Sequence, residues 1–538
     1  MSERTEVRST RRQPVSLRYR VGVAVAAVLL AVVVGWIASS SPWALLMIGL
    51  LAAILVHDTG QRRHAVLRIY PLVGHARYVL EDFRHQVRQY FIQSDQEAEP
   101  YTREQRELVY QRAKGDDDSH AFGTQLAVYQ PGYEWINHDL APLEPAHEEP
   151  RLPIGGPHCT QPYSASRLNI SGMSYGALGS HAVMALNRGA REGGFAHNTG
   201  EGGISRFHLQ GGDLVWQVGT GFFGCRDADG RFDPEAFARQ AARPEVRMIE
   251  LKLSQGAKPG GGGVLPAAKV TPDIAEARGV PQWRTVHSPP AFAGIDSPLA
   301  LVDFIDRLRE LAGGKPVGLK LCIGRPVQFM ALCKAMLERG SGPDYLVVDG
   351  SEGGTGAAPI ELSNAVGTPL REGLLLAHNV LVGSSLRERV RVIASGKIVD
   401  GFDIASRLAI GADACHSARA MMFAMGCIQA RRCHRNNCPT GITTHRRWRE
   451  RGLDIDDKAR RVARYHRRTL QQFLRLLAAA GLSDPDALTP DRIWKRTSLN
   501  TVRTYRELYE FMEPGALLAG EVHGALGDAW RDARPDRF

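Results

Sequence analysis

Hydrophobic residues are spread very unevenly along this chain. Val21 to Ala38 is uncharged and almost wholly apolar (VGVAVAAVLLAVVVGWIA), near the lower limit of about 17–25 residues for a bilayer-spanning helix. Ser39 to Pro42 break the run, and a second, shorter one extends from Trp43 to Val56 before His57 and Asp58. Two such runs predict a tight transmembrane hairpin; a single span or a cleaved signal peptide are the alternatives. From His64 to about Gly115 the apolar positions recur at three- and four-residue spacing, which predicts a helical neck. Prolines then crowd residues 141–163, as in a linker or wrapping arm.

From Leu168 the pattern changes. Short β-rich runs alternate with helix-like stretches such as PLALVDFIDRLREL. The runs are 168–171, 195–198, 248–253, 284–288, 318–322, 345–349, 390–395 and 414–418. Eight strands with intervening helices predict a TIM (β/α)8 barrel, with a doubly wound open sheet as the alternative. The chain then reads as a basic tail (1–20), a hairpin (21–57), a helical neck and linker (58–163), a barrel (164–445) and a C-terminal helical segment (446–538). The fold class is thus α/β, a barrel with an N-terminal transmembrane hairpin and helical flanking segments.

The net charge of +10 gathers at the two ends, in six arginines from Arg4 to Arg20 and in the run Arg446 to Arg468. No nucleic-acid motif accompanies it, so a nucleic-acid partner is not expected. Arginines before the first apolar run, and Arg62, Arg63 and Arg68 after the second, put both flanks in the cytoplasm by the positive-inside rule. The expectation is an inner-membrane protein with a cytoplasmic catalytic domain.

The 56 glycines cluster after the predicted strands, where a barrel carries its active site. SGMSYGALG follows the first strand, NTGEGG the second, KLSQGAKPGGGGVLP the third and DGSEGGTGAAP the sixth. Glycine there lets backbone amides approach a flat ring or a phosphate. The loops after strands seven and eight, Ser395–Gly396–Lys397 and Ser417–Ala418–Arg419, match the usual phosphate site of this fold. One phosphate and one planar ring suit FMN.

Of eight cysteines, three cluster as Cys427-x5-Cys433-x4-Cys438, followed by Pro439. Thiolates suit an iron–sulfur cluster or zinc. A zinc site needs a fourth ligand, which His434 or Cys415 could supply. Three cysteines alone suit a cluster with three ligated irons.

The stretch from about Asn169 to Gly441 resembles the FMN-binding synthase domain of glutamate synthases, in SGMSYGALG, TGEGG, ELKLSQGAKPGGGG, LPAAKVT, DGSEGGTGAAP and MGCIQARRCHRNNCPTG. The resemblance implies FMN contacts at Met173, Ser174, Lys320, Gly353, Gly354, Ser395, Gly396, Ser417 and Ala418. It implies a 3Fe-4S cluster on Cys427, Cys433 and Cys438. Glu201 and Lys252 become catalytic, with Lys258 and Arg278 binding substrate. Lys320 would face the flavin as a cation that stabilises its reduced form; a barrel lysine paired with an acid is the alternative. Arg278 could instead be a helix-surface arginine.

The implied reaction is reductive amination of a 2-oxo acid, 2-oxoglutarate or a relative, by ammonia or an amine. The family's KPG-acid-GG-Gln pattern reads KPGGGG-Val here, and Phe222 stands where an arginine is expected, so the substrate could differ from 2-oxoglutarate. The sequence shows neither the family's glutaminase cysteine nor an evident dinucleotide-binding unit for NADPH. The expected partners are therefore an electron donor such as ferredoxin and a separate amidotransferase subunit. The alternatives are an FMN oxidoreductase of another substrate, or a membrane-anchored electron-transfer subunit.

Overall fold

The computed structural model describes residues 42–538 except Arg62, Ala98, His120 and Ala357, together with Val28, Ala31, Val32, Val33 and Gly35. The first apolar run otherwise lies outside the described residues. The chain divides into two units, Met1–Ala98 and Glu99–Phe538.

In the first unit the second apolar run forms helix α1 (Pro42–Gly60). Trp43, Leu46, Met47, Leu50 and Val56 on it are exposed. Its one buried acid, Asp58, is satisfied by the Leu72 amide (3.0 Å) and by His75 Nε2 (2.9 Å). Among the described residues no helix is long and apolar enough to cross a membrane.

The second unit opens with α2 (Arg103–Lys114), which starts on a capping box between Thr102 and Gln105. The barrel strands are β1 (Leu168–Ile170), β2 (His197–Asn198), β3 (Leu214–Val218), β4 (Val246–Lys252), β5 (Val317–Leu321), β6 (Tyr345–Asp349), β7 (Arg391–Ser395) and β8 (Ala414–Ser417). They pair in parallel in sequence order, and β8 closes on β1. The closed barrel rules out the open-sheet alternative.

Two strand expectations need correction. The third barrel strand is LVWQV, which the sequence reading passed over. All five residues are buried, so the run has no alternation to betray it, and glycines flank it on both sides. RTVHS is not a barrel strand. Val286–His287 pairs antiparallel with Val264–Leu265 in a small hairpin between β4 and β5, with Val264 and His287 facing outward. The loop KLSQGAKPGGGG therefore follows the fourth strand, not the third.

Alternation along the strands fills the barrel in layers. Ala196, Val215, Met248, Val347, Ile393 and Ala414 form an apolar cluster with Leu152, Ile154, Tyr163 and Ala165. The last four belong to an antiparallel hairpin, Leu152–Ile154 with Tyr163–Ala165, which plugs the N-terminal end of the barrel. The proline-rich arm thus carries two strands of its own. Two residues further along each strand the layer turns polar.

Outside the barrel, α3 (Ser180–Gly193) follows β1, α4 (Pro272–Arg278) lies in the long β4–β5 connection, and α5 (Arg419–Ala424) follows β8. The C-terminal segment contributes α6 (Ile455–Ala479), which buries Val462, Tyr465, His466, Thr469, Phe473 and Leu477 on one stripe against α2 and α3. The segment is not wholly helical. Ile493–Arg496 joins Glu134–Ile136 and Val502–Thr504 in a three-stranded sheet on which Tyr133, Trp135 and Trp494 stack.

Candidate active site

Period-two alternation on β4 explains the floor of the site: Met248 belongs to the apolar plug, Glu250 to the next layer and Lys252 to the rim. The Glu250 Oε1 accepts from Asn198 Nδ2 (2.9 Å) and Gln217 Nε2 (2.6 Å), while its Oε2 is buried without a partner. Burial pushes this carboxyl up, against the pull of Lys320. Lys320 on β5 donates to Ser171 Oγ (3.4 Å) and sits 3.7 Å from Asp349 Oδ1. It is therefore paired with an acid, but loosely, because Asp349 is already engaged by Ser395 Oγ (2.6 Å) and by the Gly256 amide (2.8 Å). His416 completes the layer with both ring nitrogens unpartnered. Burial, reinforced by Lys320, pushes its pKa down to about 3.

The loops above this floor meet closely. Gly200 has φ +67°, a region only glycine occupies freely, and a Cβ there would run into the Ser174 amide. A Cβ on Gly256 would strike the Gly350 carbonyl, so at this point the loops after β4 and β6 meet backbone to backbone. Met173, Ser174, Gly353, Gly354, Ser395, Gly396, Ser417 and Ala418 all lie at or just beyond the C-terminal ends of their strands. The β1 and β8 ends are tied by the Ser171 amide to the Ser417 carbonyl (3.0 Å). Lys397 and Arg419 are committed elsewhere, Lys397 to Glu99 (2.8 Å) and Arg419 to the Glu352 carbonyl (2.7 Å).

The four acid and base residues expected from sequence converge beside the rim. Lys252 Nζ lies 3.2 Å from Glu201 Oε2 and donates to Gln255 Oε1 at 3.0 Å. Burial pushes the Glu201 carboxyl up, but Lys252, Arg278 and Lys258 together outweigh it and hold the group below its ordinary range. Lys258 donates to the Gly262 carbonyl (2.9 Å), and burial lowers its pKa. Arg278 is 5% exposed, which excludes the helix-surface alternative. Its Nη2 reaches Ser174 Oγ and the Tyr175 carbonyl, both at 3.3 Å, and its guanidinium lies 5.0 Å from the Phe223 ring centroid. Its Nε has no partner, and burial lowers its pKa to about 10. Phe222, by contrast, faces away into an aromatic cluster with Phe232, Phe292 and Phe304.

The cysteine segment follows α5. All three thiols are free. Burial raises Cys427 to about 12, with a further rise from Cys433 and Cys438, so the three lie near enough to repel as thiolates. Among the described residues no three His, Cys, Asp or Glu converge as a single metal ion requires. Cys415 is buried in β8 beside Arg407 and Asp403, and His434 receives a hydrogen bond from Arg435 (3.4 Å). Among the described residues neither of them converges with the three cysteines as a zinc set requires. A donor set of separated thiols suits a group that spreads its ligands over several metal atoms.

Sequence reading missed several parts of the site. Asn198, Gln217, Asp349 and Ser171 build the floor, and Lys269 links the β1 loop to the cysteine segment. Period-two reading from Lys252 back through Glu250 would have found the floor, had LVWQV been assigned as a strand.

A closed parallel barrel with a polar floor, a glycine-lined rim and a buried cluster of cations at its C-terminal end defines a (β/α)8-barrel enzyme. The family model described as the conserved region in glutamate synthase matches residues 134–483. The chain belongs to this family, which is one of oxidoreductases acting on CH–NH2 donors. It is 36% identical over 498 residues to the glutamate synthase large subunit-like protein YerD of Bacillus subtilis (strain 168), covering 85% of this chain and 93% of that one. It is 34% identical over 325 residues to an archaeal glutamate synthase [NADPH] of Methanocaldococcus jannaschii, 60% of each chain. It is 34% identical over 307 residues to a ferredoxin-dependent glutamate synthase of Antithamnion sp., covering 52% of this chain and 19% of that one.

Proposed function

We propose that this chain is an FMN and iron–sulfur enzyme that reductively aminates a 2-oxo acid, 2-oxoglutarate or a close relative. The observation that carries the reading is the group Glu201, Lys252, Lys258 and Arg278, gathered beside a glycine-lined barrel rim, with Lys258 and Arg278 buried and Glu201 and Lys252 half-buried. Three cations around one acid leave surplus positive charge, which an anionic substrate can neutralise. Arg278 Nε, unpartnered, and Lys258 are the groups to hold carboxylates.

FMN fits the rim. Its phosphate would sit against Ser395–Gly396 and Ser417–Ala418, and its ring against Met173, Ser174, Gly353 and Gly354. The orphaned polar atoms of Glu250 and His416 lie in the floor below. When bound, FMN supplies the hydride that reduces the imine carbon. Lys320, only loosely paired, is the cation available to the ring. Glu201, kept ionised by its neighbours, is suited to accept a proton from the attacking nitrogen. Lys252 Nζ is suited to donate one as water leaves. A 3Fe-4S cluster would be held by Cys427, Cys433 and Cys438. Phe222 is committed to the aromatic cluster and so cannot serve where an arginine would bind the distal carboxylate. That favours a relative of 2-oxoglutarate over 2-oxoglutarate itself.

Electrons would come from a separate donor such as ferredoxin, and nitrogen from free ammonia or a separate amidotransferase. The exposed apolar residues of α1 and the arginines flanking the two runs support membrane attachment, with the barrel on the cytoplasmic side of the inner membrane. The full chain should sediment with membranes, and a variant lacking residues 1–60 should be released with its flavin; an unchanged distribution would remove the anchor. For the reaction, the photoreduced enzyme is mixed anaerobically with ammonia and a series of 2-oxo acids. Rapid flavin reoxidation that needs both, with formation of the amino acid, is the expected result. No reoxidation by any oxo acid would leave the electron-transfer reading in its place. Cys433→Ser should abolish the cluster signal in electron paramagnetic resonance, and stoichiometric zinc without iron would overturn the cluster.

A further inference from the structure

Lys269 ends a short turn, Ala267–Lys269, in the β4–β5 connection, and is 3% exposed. Its ammonium donates to three backbone carbonyls: Gly176 (3.3 Å), Ala177 (3.2 Å) and Cys433 (3.1 Å). The first two belong to the loop after β1, which begins with Met173 and Ser174; the third lies on the cysteine segment. His445, also beyond the cysteines, reaches the same Gly176 carbonyl through Nε2 at 2.9 Å. Among the described residues, no carboxylate forms an ion pair with Lys269.

A buried ammonium facing only carbonyls is costly unless negative charge lies close by. Cys433, whose carbonyl it holds, is one of the three residues that would carry the negatively charged cluster. The chain thus places a buried charge where the loop after β1 and the cysteine segment are joined. A neutral amide or amine has only two N–H groups, so only the charged ammonium can satisfy all three carbonyls from one nitrogen.

We infer that Lys269 is a positioning residue that fixes the β1 loop against the cysteine segment, and that its charge raises the reduction potential of the iron–sulfur cluster held there. A fixed cation beside a cluster stabilises the reduced, more negative state, so its removal makes reduction harder. Hydrogen bonding and nearby charge are the protein's means of setting that potential. The inference rests on the FMN and cluster reading above.

The test uses the full chain and the variants Lys269→Met, Lys269→Gln and Lys269→Arg, each titrated anaerobically with the cluster followed by electron paramagnetic resonance and FMN by absorbance. The expected result is a more negative cluster midpoint in Lys269→Met and Lys269→Gln, a smaller change in the flavin midpoint, and recovery of most of the shift in Lys269→Arg. Loss of the cluster in both neutral variants but not in Lys269→Arg also supports a requirement for charge. A neutral variant that keeps both groups with the wild-type midpoint overturns the inference. So does loss of the cluster in all three variants, which marks a packing role. A wild-type protein with FMN and no cluster signal instead overturns the cofactor reading itself.

Discussion

At the scale of single residues, the environment separates side chains that look alike in the sequence. Arg278 and Arg447 are both arginines near helix ends, but Arg278 is enclosed while Arg447 is exposed. Removing a buried charged contact to an anionic ligand costs on the order of 2–5 kcal/mol. Arg278→Ala is therefore expected to raise the Michaelis constant for the oxo acid at least tenfold with FMN content unchanged, as measured by steady-state kinetics and flavin absorbance. Arg278→Lys should recover only part, because an ammonium cannot form two parallel bonds to a carboxylate. An unchanged Michaelis constant in Arg278→Ala would assign the residue to holding Ser174 and Tyr175 alone. Phe222 carries the opposite lesson. Phe222→Arg would bury a charge among Phe232, Phe292 and Phe304, and is expected to lower the melting temperature sharply without improving 2-oxoglutarate use.

At the scale of elements, the site depends on contacts between loops that follow different strands. The loops after β4 and β6 meet at Gly256 and Gly350 with no room for a side chain. The Gly256 amide also anchors Asp349, the partner of Lys320 and Ser395. Gly256→Ala should push these loops apart, and the purified protein should be largely colourless although folded by circular dichroism. Full flavin content in this variant would mean that the two loops do not shape the ring site. The helix α6 offers a control remote from the rim. Asp454 caps it by accepting from the Asp457 amide (2.7 Å), so Asp454→Ala should cost about 1 kcal/mol of stability while leaving flavin content intact.

At the scale of the whole molecule, buried neutral histidines set the acid limit. Burial holds His208 and His378 down at about 4 and His466 at about 3. In the unfolded chain each takes up a proton near the ordinary value of about 6.5. Below that pH the unfolded state binds more protons than the folded one, so stability falls as pH falls. Each histidine contributes up to about 1.4 kcal/mol per pH unit until its folded-state value is reached. The melting temperature should accordingly drop from about pH 6 toward pH 4, partly offset by Asp403, which burial raises to about 7 and which favours the folded state as pH falls through that value, measured with the flavin bound. A flat profile down to pH 4 would mean that these rings gain protons in the folded state.

The sequence by itself determined the barrel, because a parallel sheet covered by helices imposes a rhythm of short β-rich runs and amphipathic stretches. It also located the rim, because glycine-rich loops fall where strands end, and it singled out the three cysteines by type and spacing; Glu201, Lys252, Lys258 and Arg278 came through the family resemblance. It did not separate LVWQV from other short apolar runs, since a strand buried on both faces has no alternation. It assigned RTVHS to the barrel because β-branched composition does not say which partner a strand will find. Only the tertiary structure decided that Arg278 turns inward and Phe222 into an aromatic cluster, that Asn198 and Gln217 meet on Glu250, and that Lys269 joins two segments 164 residues apart in the pair Lys269–Cys433. Those outcomes depend on distances between residues far apart along the chain, which are fixed by barrel closure and by the packing of the connections over its rim.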